Sequence, residues 1–146
     1  MQGIPGMEEV RFVVDTNVLA YYLLGVKPYR NEISALLHKN VSWIAPESWK
    51  PELLNVLWLA VKGGSISLEQ GLESLSLAAA LVQESVPIDG LWSEALIAAM
   101  EKKYSPYDVL FVVLAERRKT KLLTHDHKLL RSFPKITRTP GRAKSG

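Results

Sequence analysis

The stretch RFVVDTNVLAYYL, Arg11 to Leu23, changes its hydrophobic period in the middle. Arg11 to Val14 is a short β-branched and aromatic run, Asp15-Thr16-Asn17 are turn and N-cap types, and Val18, Leu19, Tyr22 and Leu23 recur at helical spacing. The segment predicts strand, turn and helix, with Asp15 at the carboxyl end of the strand. The unit then recurs. A helix over 29–38 leads to a strand over 41–45 that Pro46 stops. A helix over 47–61 carries Leu53, Leu54, Leu57, Trp58 and Val61 on one apolar stripe and ends at Gly63-Gly64. Another helix over 67–81 precedes a strand over 84–88. Asp89 is placed to cap a helix through Met100, and Ser105-Pro106 to cap and open a helix through Arg118. Strands over 121–124 and 133–137 complete the pattern.

Strands separated by helices cannot be joined by hairpins, so the sheet is predicted to be mostly parallel with helices on both faces, a three-layer α/β/α sandwich. Residues 1–137 read as one domain and 138–146 as a flexible basic tail. Of the 146 residues, 47% are hydrophobic, enough for a core without disulfides. The absence of cysteine excludes thiolate zinc sites and cysteine nucleophiles and agrees with a reducing cytosol. No basic-then-apolar leader pattern opens the chain, and no apolar run approaches the roughly 20 residues of a spanning helix, so a soluble, cytoplasmic protein is expected.

The net charge of +3 conceals an asymmetry: residues 1–115 carry 8 Lys and Arg against 13 Asp and Glu, whereas residues 116–146 carry 10 against 2. A basic end on an acidic remainder suits a polyanionic partner, although a solvated tail has the same composition. Arg117-Arg118-Lys119-Thr120-Lys121 reads equally well as helix-end cations favoured by the dipole and as RNA contacts. Most Trp and Tyr fall in apolar stripes and read as core; Trp49 and Trp58 could mark a partner surface.

In open parallel sheets the ligand crevice lies beyond the carboxyl ends of the strands. Asp15, Glu52, Asp108 and Asp126 are all expected near that rim. Each has a structural explanation: Asp15 and Asp126 as N-caps, Glu52 as a first-turn acid, and Ser105-Pro106-Tyr107-Asp108 as a capping box. Together they need another reason, because two unit charges about 4 Å apart repel by about 4 kcal/mol at an effective dielectric of 20. Protonation or a divalent cation relieves that repulsion, and an all-oxygen donor set points to Mg²⁺ or Mn²⁺. Pro51, lacking an amide hydrogen, predicts a helix that starts late or kinks beside Glu52. His125 and His127, flanking Asp126, leave open a zinc site or a general base. No phosphate-cradling glycine loop and no G-x-S-x-G elbow is present.

Val13-Val14-Asp15-Thr16-Asn17, Pro46 followed by Glu52-Leu53-Leu54-Asn55-Val56-Leu57, Ser105-Pro106-Tyr107-Asp108 and Leu122-Leu123-Thr124-His125-Asp126, in that order, resemble the PIN-domain nucleases, especially the VapC-type toxins of toxin-antitoxin pairs. The resemblance covers about residues 10–135. It implies a Mg²⁺- or Mn²⁺-dependent ribonuclease with Asp15, Glu52, Asp108 and Asp126 as metal-binding and catalytic residues, supported by Asn17 and Thr124. It also implies products with 5′-phosphate and 3′-hydroxyl ends, a homodimer, and a cognate antitoxin that offers Arg or Lys to the acids. A housekeeping RNA-processing nuclease and a non-catalytic PIN-like module binding RNA or protein are the alternatives.

Overall fold

The computed structural model describes residues 10–39 and 41–143. Five strands form one wholly parallel sheet: β1 (Val10–Val14), β2 (Val41–Pro46), β3 (Val82–Val86), β4 (Leu122–Leu123) and β5 (Thr137–Arg138), in the order β3-β2-β1-β4-β5. Helices α1 (Thr16–Leu23), α2 (Tyr29–Leu37), α3 (Trp49–Lys62) and α4 (Leu68–Leu81) pack on one another, and α5 (Trp92–Lys102) packs on α6 (Pro106–Arg117), which lies against β1, β2 and β4. The short α7 (His127–Ser132) sits beside β5. This is the expected α/β/α sandwich. Among the described residues no helix is long and apolar enough to cross a membrane.

The β-branched run of β1 takes the centre of the sheet, where helical layers cover both faces and bury Phe12, Val13 and Val14. Every residue of α6 from Val109 to Ala115 is buried, since the sheet lies on one side of it and α5 on another. The α3 stripe is split: Leu53 and Leu57 enter the core, whereas Leu54 and Trp58 are 56% and 55% exposed. Trp43 and Trp49 are buried, Trp49 Nε1 donating to Ser85 Oγ at 2.8 Å, while Trp92 joins Trp58 on the outside.

Several boundaries differ from expectation. β3 runs over Val82–Val86 rather than 84–88, as Pro87 cannot extend the ladder. Asp89 lies in a 3₁₀ turn, Ile88–Gly90, and does not cap α5. Ser105 precedes α6 without a side-chain cap bond, so the capping box with Asp108 is not formed, and Pro106 opens the helix by its fixed φ instead. Residues 138–143 also differ from the expected tail: Thr137–Arg138 pairs with β4, Pro140–Arg142 forms a 3₁₀ turn, and Pro140 and Ala143 are buried. Residues 1–9 and 144–146, included in the expected domain and tail, lie outside the described residues.

Candidate active site

Asp15 leaves the end of β1 as the N-cap of α1. Its amide donates to Leu123 O of β4 at 3.0 Å, Oδ1 accepts the Asn17 amide at 3.3 Å, and Oδ2 accepts the Thr124 hydroxyl at 2.8 Å. Thr124, fully buried, in turn accepts the Asp126 amide on Oγ1 at 3.0 Å. A single hydroxyl therefore ties Asp15 to the turn carrying Asp126. That turn is rigid, because Asp126 Oδ1 caps α7 by accepting the Lys128 and Leu129 amides at 2.8 and 3.1 Å. Asn17 contributes through its backbone, its side chain being exposed.

Pro51 does not displace Glu52. It is the third residue of α3, where amide hydrogens have no intrahelical acceptor, and the Glu52 amide reaches Ser48 O at 3.3 Å. The helix starts before the proline, correcting the expected late start or kink. Among the described residues Glu52 Oε1 is buried without a hydrogen-bond partner, as are Thr16 Oγ1 and Ser48 Oγ. Asp108 occupies the first turn of α6.

The four acids feel one another. Burial pushes Asp15 up to about 6, with Asp108 and Asp126 adding to the rise and the bonds from Thr124 and Asn17 opposing it. Burial likewise pushes Glu52 up to about 7, reinforced by Asp15 and Asp108. The Thr16 and Ser48 hydroxyls partly offset this without completing a bond of good geometry. Burial and then Asp126 raise Asp108, against Lys128. Such coupled carboxyls at one rim are the electrostatic signature of a cation-binding or proton-transfer site.

The donors are carboxylate and hydroxyl oxygens, three of them buried and unpartnered, and this chemistry fits a hard dication. The cage is not preformed, however: among the described residues no three Asp, Glu or His side chains are gathered so as to hold an ion as they stand. The zinc alternative at His125 and His127 gains nothing. His125 packs instead on Tyr29 and Tyr21, with ring centroids 4.1 and 5.7 Å away, and burial lowers its pKa. Sequence reasoning missed Thr16, Ser48, Tyr104 and Lys128. Thr16 lies within a quoted motif and Tyr104 next to one, but nothing in their spacing reveals that they turn toward the acids.

The PIN domain family matches residues 12–135 of the 146. The chain belongs to the PIN domain family. This is a family of nucleases, which sets the activity class. Among solved structures, this PIN domain is similar to PAE2754 from Pyrobaculum aerophilum, at 21% identity and a TM-score of 0.69 over 92% of this chain and 87% of that one. It is also similar to VapBC2 from Rickettsia felis, described as bound to a DNA fragment from their promoter, at 17% identity and a TM-score of 0.64 over 89% and 98%. A third is VapBC-1 from nontypeable Haemophilus influenzae, at 16% identity and a TM-score of 0.65 over 91% and 100%. At these identities the likeness concerns the fold. No curated protein sequence matches the chain.

Proposed function

We propose that this PIN domain is a Mg²⁺- or Mn²⁺-dependent endoribonuclease and the VapC-type toxin of a toxin-antitoxin pair. The observation that carries the reading is the charge coupling among Asp15, Glu52, Asp108 and Asp126 at one sheet edge. Asp15, Asp108 and Asp126 would hold the dication with Glu52 beside them, their side chains rotating inward to share it. When bound, the ion supplies a water of lowered pKa and neutralises charge on the phosphate and the leaving oxygen.

The chain's own groups do the rest. Thr124 holds the Asp15 carboxylate at the end of β1 and fixes the backbone of Asp126, so that two acids from distant parts of the sequence keep their spacing. Glu52, raised to about 7, is poised to take a proton on its buried Oε1 near neutral pH. Asp108→Asn is expected to abolish dication-dependent cleavage of single-stranded RNA while circular dichroism remains that of the wild type. Undiminished cleavage by that variant would end the assignment.

The toxin reading has its own support. An apolar groove of about 440 Å³ between α3 and α4 is lined by Trp49, Pro51, Leu53, Leu54, Leu75 and Ala79. Its lining residues Pro51 and Leu53 flank Glu52 in sequence, and it suits the apolar face of an antitoxin helix that carries an Arg or Lys toward the acids. Solved relatives named as VapBC complexes, and a toxin-antitoxin complex from Klebsiella pneumoniae with a TM-score of 0.64 at 18% identity, favour such a partner. Exposed Trp92, Leu96, Ile97 and Met100 on α5 offer a surface for homodimerisation. A short open reading frame beside this one, whose product co-purifies and suppresses cleavage, is the expected partner; its absence would favour a housekeeping nuclease.

A further inference from the structure

Several cations of the basic C-terminal third are committed within the fold. Arg117 pairs with Glu94, and Arg118 holds both oxygens of Glu84 at 2.9 and 2.6 Å. The Arg117-Arg118 run, which reads as an RNA contact in sequence, is therefore neutralised within the fold. Lys121 Nζ donates to the Lys135 carbonyl, and Arg138 donates to the carbonyls of Pro134 and Thr137.

Lys128 and Arg131 share their exposure with Lys119, Lys135 and Arg142 and differ from them in standing on α7, the helix that Asp126 caps. Among the described residues neither makes an ion pair, and both are exposed. Three residues apart on α7, they share one face. Lys128 Nζ stands 4.5 Å from the centroid of the Tyr104 ring, which is itself 8% exposed and packed against Phe133 at 5.8 Å. The same ammonium lies close enough to Asp108 to oppose its rise in pKa, and the Arg131 guanidinium acts on the Tyr104 hydroxyl. A cation near Asp108 that makes no ion pair with it and rests on an aromatic face keeps its charge for something else.

We propose that Lys128 and Arg131, with Lys128 seated on the Tyr104 ring, form the contact for the sugar-phosphate backbone of RNA entering the acidic site beside Asp108 and Asp126. The inference rests on the ribonuclease reading. An acidic pocket repels a polyanion, and cations fixed at its edge offset that repulsion where the strand must approach. Tyr104 acts as a positioning residue, setting the height of the ammonium above α7.

The test is the salt dependence of RNA binding by the full chain. A fluorescein-labelled single-stranded RNA is titrated in EDTA, which prevents cleavage, and log K is plotted against log salt. Each phosphate contact on a single strand contributes about 0.7 to the slope, so Lys128→Ala and Arg131→Ala are each expected to lower it by about 0.7, and the double variant by about 1.4. Lys128→Arg, which keeps the cation, is expected to restore the slope. Lys62→Ala, removing a cation that lies over Trp58 at the far end of α3, is expected to leave it unchanged. A wild-type chain that binds and cleaves RNA while the double variant keeps its slope would overturn this inference alone. A wild-type chain that neither binds nor cleaves RNA would remove it together with the ribonuclease reading.

Discussion

Tyr104 Oη is buried with no hydrogen-bond partner among the described residues, and such a group costs roughly 1–3 kcal/mol when left unsatisfied. Tyr104→Phe keeps the ring under Lys128 and removes the orphan, so chemical denaturation is expected to find the variant as stable as the wild type or up to about 1 kcal/mol more stable. A marked loss would mean that the hydroxyl has a partner after all. Asp15 makes a second residue-scale test. Its folded value of about 6 exceeds the ordinary 3.8, so between those values the folded chain binds the extra proton. The stability this confers is complete below 3.8 and is lost as pH rises through about 6. In EDTA, Asp15→Asn is expected to escape that loss, gaining about 2–3 kcal/mol on the wild type between about pH 3.5 and 8. A pH-independent difference between the two proteins would contradict the assigned burial. The four acids were legible in the sequence because motif order singles them out. Tyr104 and Lys128 were not, because a cation over a ring twenty-four positions away is a fact of packing that no local pattern encodes.

At the scale of elements, α6 shows why a helix can be read where its role cannot. Its apolar run announces burial, yet burial on every side from Val109 to Ala115 follows only from α5 covering what the sheet does not. Leu114, 1% exposed, is expected to cost about 2–5 kcal/mol on replacement by Ala, measured by urea unfolding. A loss below about 1 kcal/mol would show that α5 closes over the gap. Helix starts were legible where a side chain caps them: Ser67 and Gln70 close a reciprocal box at α4, with bonds of 2.8 and 3.1 Å. The start was misread at α5, where Asp89 has the right chemistry but lies in a 3₁₀ turn; at α6 the helix starts at Pro106 as expected, without the side-chain bond expected of Ser105 and Asp108. The α3 stripe failed similarly, since Leu54 and Trp58 share the helical spacing of core residues but face away from the sheet.

For the whole molecule, the decisive arrangement is that the four acids arrive from β1, α3, α6 and the turn before α7, so an ion shared among them would bridge both helical layers and the sheet. Bound only by the folded chain, Mn²⁺ at one hundred times its dissociation constant is expected to add about 2.7 kcal/mol to stability at pH 8, and less near pH 5, where Asp15 and Glu52 carry protons. Asp108→Asn is expected to lose most of this gain; an unchanged melting midpoint on adding Mn²⁺ to the wild type would count against a dication site. The overall topology was readable because helices between every pair of strands leave a parallel sheet as the only economical connection.

That topology has a consequence for synthesis. The first three strands, with Asp15 and Glu52, emerge from the ribosome before residue 87, whereas Asp108 and Asp126 come only with the last third, and β4 must slot in beside β1 to bring Thr124 against Asp15. A nascent or prematurely terminated chain therefore lacks half its acids and the hydroxyl that orders them. The nuclease proposed here would stay harmless to the message encoding it until translation of that copy has passed Asp126.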